Sequence, residues 1–564
     1  MNEYYRIALI GHVVCERDNP MWPVYEELKL AGHAVEVLDP RHDGRVLDAF
    51  GQPNLEYLAK FIETFRPHCI ATEGQSAGDI LAAARESPLK PDNQRLRHVV
   101  VFGYLGQDNF GDELIYAQIR RRIRERYANA WTTAICFASG NCLGRQGTVC
   151  IPYPQKAQVA ACLNGADVLV FMAGLMVDSS FEEFGAGIPD FMLNPGIEVG
   201  GQAAACLLAH TLEVPAIALG IGAGPLSNAD AHAYVRLAAL AGTRYVARDS
   251  HTCELLSEAG VPNEQLCCKA DLAFSISAED IANCSCSRMG DIESPYVFVS
   301  LRERYDLPGW QVCPEGFTRA IARGLDCLWE KHDIRPVFVD LAPDDSIIHR
   351  EVISLMNYGS EASHLTSLGL DETLAAIAGA SMVVAMRLHA SIVANSVGIP
   401  SIGFNYEDKV ASYYEKMGRA DSLLPMNVGE DEFIRFVDEF APDLPSRAEA
   451  LQDVVLENRK LAEEAFEILW GIMDSREAQV RPQHVYNRSV SPESVEYETR
   501  IGLLDRDLRD ARGELERIRG ELSRAREEAK SAKEEVAAVR SSHSWRIGNA
   551  LMRPLSAIKR LLGR

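Results

Sequence analysis

The sequence predicts an α/β protein. Two stacked Rossmann-like units are preceded by an extra N-terminal α/β unit and followed by a C-terminal coiled-coil helix. Three observations predict this. Short apolar runs alternate with helix-like segments from residue 6 to about residue 425, and βαβ alternation means a parallel sheet. At 564 residues the chain is too long for one hydrophobic core. From Ile501 the period changes to a heptad, with Glu and Arg between the apolar positions.

Residues 1–92 read as the accessory unit. Its strands are Arg6-Ile-Ala-Leu-Ile, Ala34-Val-Glu-Val-Leu and Cys69-Ile-Ala-Thr, with a helix from Tyr25 ending at Gly32. No phosphate fingerprint follows the first strand. Ser87-Pro-Leu-Lys-Pro-Asp-Asn-Gln reads as a linker. Residues 96–288 form the first Rossmann-like half, with strands near His98, Thr133, Val168, Ala216 and Tyr245. Residues 290–425 form the second half, with strands near Tyr296, Pro336, Ser381 and Ile399. Residues 426–475 read as closing helices and 476–492 as a polar linker. Residues 493–540 carry the coiled-coil seam, whose alternative is a single solvated helix. Residues 541–564 carry Arg546, Arg553, Lys559, Arg560 and Arg564 but no acid, with Leu551, Leu555, Ile558 and Leu562 on one helical face. Such an end suits an anionic membrane surface, a protein partner or simple fraying.

Composition narrows the function. Hydrophobic residues make up 47% and charged residues 24%, as in ordinary globular proteins. A net charge of -23 argues against general nucleic-acid binding, so an anionic substrate needs a locally basic pocket. The 14 cysteines form no CxxC pair, so no metal site is expected and buried free thiols in a reducing compartment are. The N-terminal apolar run is too short for a signal peptide. No stretch offers the roughly 18 uninterrupted apolar residues of a spanning helix. A cytoplasmic chain is expected, and peripheral contact at the inner membrane face is one of the alternatives for its tail.

Four segments suit chemistry. Gly103-Tyr-Leu-Gly-Gln-Asp-Asn-Phe-Gly-Asp-Glu precedes a helix. Its glycines Gly103, Gly106 and Gly111, with Asn109, let backbone approach a ligand, and the helix N-terminus offers amides to an anion. Asp112 is either a catalytic acid or only a cap. Gly220-Ile-Gly-Ala-Gly-Pro-Leu offers Gly222 and Gly224 as ligand-facing positions, or is only a tight turn. Arg387 and His389, in Met386-Arg-Leu-His, sit at a strand-to-helix junction where a parallel sheet opens to ligand. A guanidinium clamps carboxylate or phosphate and an imidazole moves protons, unless both serve only local backbone groups. Arg248, at another strand end, is a second clamp or the partner of Asp249 or another acid. Lys409 and the Lys269–Asp271 stretch add charge to the same crevice.

In this order the segments resemble the polysaccharide pyruvyl transferase family. Between them fall Ala247-Arg-Asp, Asp271-Leu-Ala-Phe, Ser300-Leu-Arg and Gly398-Ile-Pro-Ser-Ile-Gly-Phe-Asn-Tyr-Glu-Asp-Lys. The resemblance covers about residues 98–425. It implies a GT-B-like fold and a transferase of surface-polysaccharide synthesis. The donor would be phosphoenolpyruvate, the acceptor a free or lipid-linked sugar, and the product a pyruvate ketal, with no cofactor or metal. It also implies that Arg387 and Arg248 hold the donor's phosphate and carboxylate, that His389 is the general acid or base, and that Asp112 meets an acceptor hydroxyl. The Ser544-Trp-Arg-Ile tail resembles ends of bacterial glycan-assembly enzymes. One departure stands out: Met172-Ala-Gly replaces a glycine triplet after the strand at Val168. Two alternatives remain at this stage. One is a GT-B-type glycosyltransferase using a nucleotide sugar. The other is a non-catalytic scaffold that self-associates or binds a partner helix through its coiled coil.

Overall fold

The computed structural model describes residues 3–475, except 12, 14–18, 40–53, 73, 93–94, 137–147, 153–155, 173–198, 225, 227–228, 283–294 and 303–315. The expected linker at 476–492, coiled coil and basic tail lie outside the described residues, as do Ala173 and Gly174.

Among the described residues, three parallel sheets carry the fold. The first has β1 (Arg6–Ile10), β2 (Ala34–Leu38) and β3 (Cys69–Thr72), in the order β2-β1-β3. The second has β4 (Arg97–Phe102), β5 (Ala130–Cys136), β6 (Cys150–Pro152), β7 (Val168–Met172), β8 (Ala216–Ile221), β9 (Arg244–Ala247) and β10 (Leu266–Cys268). Its order is β10-β9-β8-β7-β4-β5-β6. The third has β11 (Tyr296–Ser300), β12 (Arg335–Val339), β13 (Ser363–Leu365), β14 (Met382–Ala385), β15 (Ser401–Asn405) and β16 (Leu423–Pro425), in the order β13-β12-β11-β14-β15-β16. The central strands β4, β7, β8, β11 and β14 are buried along their whole length. They read as continuous Val, Ile and Leu runs because helices cover both faces.

Both large sheets share one winding. The first strand of each sits in the interior, the next two step outward on one side, and the later ones step outward on the other. The direction therefore reverses between β4 and β7 and between β11 and β14, and such a switch point opens a crevice at the strands' carboxyl ends. The sequence reading misses β6, β10, β13 and β16. Each has three residues and forms a sheet edge, and so short an edge carries no apolar run to detect.

The final helix, Gln452–Asp474, packs back on the second sheet's half. Arg97 Nη1 donates to the Met473 carbonyl at 2.8 Å, and Lys269 pairs with Glu464 at 2.7 Å. Arg459 donates to carbonyls of Phe274, Ile276 and Ser396. It thereby ties a turn of one half to a helix of the other. A continuous apolar core runs through both halves and this helix.

The accessory unit is docked. Asp92, in the expected linker, pairs with Arg6 at 2.8 Å and exchanges backbone hydrogen bonds with Tyr4. Behind it, Lys29 Nζ lies 3.2 Å from His98 Nδ1, and Thr133 donates to Glu36. Trp131 stacks on His98 with ring centroids 4.6 Å apart. Burial pulls Lys29 down to about 8 and pushes Glu36 up to about 8. Among the described residues no helix is long and apolar enough to cross a membrane, and the nine described cysteines are free thiols.

Candidate active site

The crevices of the two large sheets face each other, and the helix Phe110–Arg126 forms the floor between them. That helix follows β4. Its cap is Asn109, whose side chain accepts from the Gly111 amide at 3.1 Å. The capping alternative for Asp112 is thus taken by Asn109, and Asp112 sits one turn in, buried. From the facing half the Leu341 carbonyl accepts from the Phe110 amide at 2.9 Å.

His389 opens the helix Leu388–Ser396 after β14. Its ring lies directly against Gly111: a Cβ on that glycine would stand 2.1 Å from His389 Nδ1. On its other side His389 Nε2 is 3.6 Å from Asp271 Oδ2. Asp271 follows β10 and also accepts from Arg248 Nη1 at 3.2 Å. Arg248, after β9, is only 7% exposed and lies 3.4 Å from Asp249 as well. The guanidinium rests on Gly222, where a Cβ would come within 2.6 Å.

These positions correct one expectation. The glycines Gly103, Gly111 and Gly222 do not leave backbone open to a ligand. Protein side chains take the space: Met172 beside Gly103, His389 beside Gly111 and Arg248 beside Gly222. Gly224, at φ 114, faces Leu255, and Gly106, at φ 91, donates its amide to Glu113 Oε1 at 3.0 Å. Six amides of the first loop thus have protein acceptors: Gly103, Leu105, Gly106, Phe110, Gly111 and Glu113. The glycines serve the packing of the catalytic candidates, and the loop is not an open anion nest. Met172 marks the same point, since it is buried at the carboxyl end of β7, beside the switch point between β4 and β7.

Charge in the crevice is dense and paired. Burial pushes Asp112 up to about 7, with Glu113 adding to the rise, while His389, Lys409 and Arg248 pull it back. Burial also raises Asp271, but His389, Arg248 and the Ala273 amide hold it well below the usual carboxylate range. Lys409 pairs with Glu407 at 2.5 Å, and Arg302, at the end of β11, lies 3.9 Å from the same carboxylate. Desolvation lowers Lys409. Lys416 bridges the halves from one helix by donating to the carbonyls of Arg248 and Lys269 at 3.0 and 2.9 Å.

Arg387 points elsewhere than His389. Its Nε and Nη2 meet Asp345 at 3.2 and 2.6 Å. Asp345 is fully buried and also accepts the Leu341 and Ala342 amides. The sequence reading misses Asp345, Arg302 and Glu407 as site groups. The last two lie inside segments already singled out, whereas Asp345 carries no signal beyond an acid at a helix start.

A second cluster stands behind the loop after β12. Asp340 Oδ1 accepts from His349 Nδ1 at 2.7 Å and from His364 Nε2 at 2.8 Å. These residue types can hold a metal. However, His349 Nε2 already accepts the Leu301 amide at 2.8 Å, which leaves the proton of a neutral ring on Nδ1, directed at Asp340. The cluster is therefore a hydrogen-bond brace that ties Leu301 after β11 and Asp340 after β12 to His364 within β13.

Strand order, crevice position and an imidazole–carboxylate pair with arginines define an α/β protein with a charged crevice between two Rossmann-type sheets. The chain belongs to the polysaccharide pyruvyl transferase family, whose model matches residues 109–408. No functionally curated protein matches the chain. Several solved structures are similar in fold. S. aureus MnaA, solved with UDP, is 10% identical at a TM-score of 0.44, over 69% of this chain and 99% of its own. The Methanocaldococcus jannaschii UDP-GlcNAc 2-epimerase, solved with UDP-GlcNAc and UDP, is 11% identical at 0.40, over 61% and 93%. Anabaena HepE, solved with UDP-glucose, is 12% identical at 0.43, over 68% and 100%.

Proposed function

We propose that the chain transfers a pyruvyl group from phosphoenolpyruvate to two hydroxyls of a sugar in a surface polysaccharide or its lipid-linked precursor. The observation that carries this reading is the grouping of Asp112, His389, Asp271 and Arg248 at the facing strand ends.

The chemistry needs one acid and one base a short distance apart. Asp112, raised to about 7 by burial, is a carboxylic acid able to give a proton to the donor's methylene carbon. C2 then becomes electron-poor, and the first acceptor hydroxyl forms a C2–O bond while His389 takes its proton. Asp271 orients the imidazole and stabilises its charge. The C2–O bond to phosphate then breaks and the second hydroxyl closes the ketal. Of the two hydroxyl protons, one ends on the new methyl group and the other leaves with phosphate. Arg248, fixed by Asp271 and Asp249, and Arg387, fixed by Asp345, supply preorganised charge for the carboxylate and departing phosphate. Lys409 and Arg302 add to the same field.

The experiment is incubation with phosphoenolpyruvate and free or lipid-linked sugars while phosphate release is followed. Release by the parent, with about 10²-fold or greater loss in His389→Ala and Asp112→Asn, supports the reading. A melting temperature raised by UDP- or GDP-sugars but not by phosphoenolpyruvate points instead to a glycosyltransferase. No response to any donor points to a scaffold.

A further inference from the structure

We propose that Cys253 and Cys268 form a redox-active dithiol, which a hydroperoxide closes to a reversible disulfide beside Arg248. Cys268 ends β10, where it pairs in register with Ala247 at the end of β9. The chain leaves β9 through Arg248 and Asp249 and enters the helix Ser250–Glu258, which carries Cys253. Successive strand residues face opposite sides of a sheet. Cys267 packs on the core shared by both halves, whereas Leu266 packs with Leu255 and Leu256 of that helix. Cys268, two residues after Leu266, therefore faces the helix as well. The Cys253 and Cys268 thiols meet there and share a hydrogen bond.

A bland account is that both are ordinary free thiols acting as small apolar side chains. Their setting decides against it. Among the described cysteines Cys268 is the exposed one, and Cys253 is half-buried. Burial raises Cys69, Cys162, Cys206, Cys267 and Cys327. The hydrogen bond from Cys253, and after it Lys416, draws Cys268 the other way, against burial and Asp249. An accessible thiol that favours its thiolate and lies against a second thiol is the arrangement of a redox pair.

The oxidation balances with the hydroperoxide as the two-electron acceptor. The Cys268 thiolate attacks it, an S–O bond forms and the O–O bond breaks. The departing oxygen takes up the proton that the thiol released and leaves as water or an alcohol. The Cys253 sulfur then attacks Cys268, the S–O bond breaks, and hydroxide leaves as water with the Cys253 proton. A small thiol reverses the change by exchange.

The position gives the new bond a consequence. Lys416 holds the carbonyls of Arg248 and Lys269, and Lys269 adjoins Cys268. Asp249, which pairs with Arg248, also caps the helix of Cys253 by accepting the Thr252 amide at 2.7 Å. Drawing the two sulfurs together shifts the segments that carry both carbonyls, so oxidation should loosen the Lys416 bridge between the halves.

Hydrogen peroxide added to the full chain, followed by peptide mapping, tests this. Cleavage after arginine, lysine and glutamate separates Cys253 from Cys267 and Cys268, because Glu254, Glu258 and Glu264 lie between them. A linked pair of peptides should form and should disappear with dithiothreitol. The pair should be lost in Cys253→Ser and in Cys268→Ser, and kept in Cys267→Ser. Hydrogen exchange across 410–418 should quicken in the oxidised parent and stay unchanged in peroxide-treated Cys253→Ser. These readouts need neither donor nor acceptor, so they stand apart from the catalytic reading. No linked pair, a pair that persists in Cys268→Ser, or exchange indifferent to oxidation would overturn the proposal.

Discussion

His389 Nε2 lies 3.6 Å from Asp271 Oδ2, so an imidazole carried by one sheet is paired with a carboxylate carried by the other. The imidazole–carboxylate pair exists only when the two halves are together, which makes Asp271 the most informative site to alter. Asp271→Asn keeps the shape and removes the charge. Phosphate release should fall about 10²-fold or more. Arg248 would lose a buried partner, and denaturant unfolding should report a loss of about 3 kcal/mol.

Gly111 is the second test. A methyl group there would overlap the His389 ring. The ring is the movable partner, so Gly111→Ala should displace it and leave the helix intact. Turnover should drop about 10²-fold, the usual cost of a misplacement near 1 Å. The melting temperature should change little. A variant with normal turnover would show that His389 need not occupy this position.

Asp112 gives a prediction with a sign. Its carboxyl is raised to about 7 from an ordinary value of 3.8, so the folded protein holds that proton more tightly than the unfolded chain. The associated stability is full below the unfolded value and is lost as pH rises through about 7. Asp112→Asn, which cannot ionise, should flatten this decline, and the variant's stability relative to the parent should grow between about pH 4 and pH 7. If Asp112 is the proton donor, parental turnover should also fall as pH rises past about 7, and the residual activity of Asp112→Asn should lose that limb.

The Asp340 brace predicts a stability effect with a functional echo. His349 is fully buried between Asp340 and the Leu301 amide. Burial would raise Asp340, but hydrogen bonds from His349, His364 and Ser346 hold it well below the usual range. His349→Phe removes both bonds at once and should cost about 1–3 kcal/mol for each buried group left unpaired. Because Leu341 and Asp345 follow in the same loop, the Arg387 guanidinium should lose its fixed orientation. The donor KM should then rise more than kcat falls.

Much of this architecture is legible in the chain. The buried strands announce themselves as runs such as Val99-Val-Val-Phe and Met382-Val-Val-Ala, because two covering layers of helix demand apolar residues on both faces. The Arg387–His389 junction stands out because a strand run ends and a helix run begins on either side of it. Where the side chains go is not legible. Arg387 and His389 are two residues apart yet diverge, one to Asp345 and the other to Asp271. The glycines are visible too, but their purpose is not. A missing side chain marks a close approach without saying whether ligand or protein makes it, and at Gly111 and Gly222 it is protein.

By itself, then, the amino-acid order determined the parallel α/β class, the interior strands of all three sheets and the family's ordered motifs, since each depends on hydrophobic period and local turn chemistry. Only the tertiary structure decided which acid meets which base, that Asp112 is buried enough to retain a proton near neutrality, and that Cys253 on a helix meets Cys268 on a strand. Those outcomes depend on desolvation and on distances between groups that are remote in sequence, and such quantities arise only when the sheets pack.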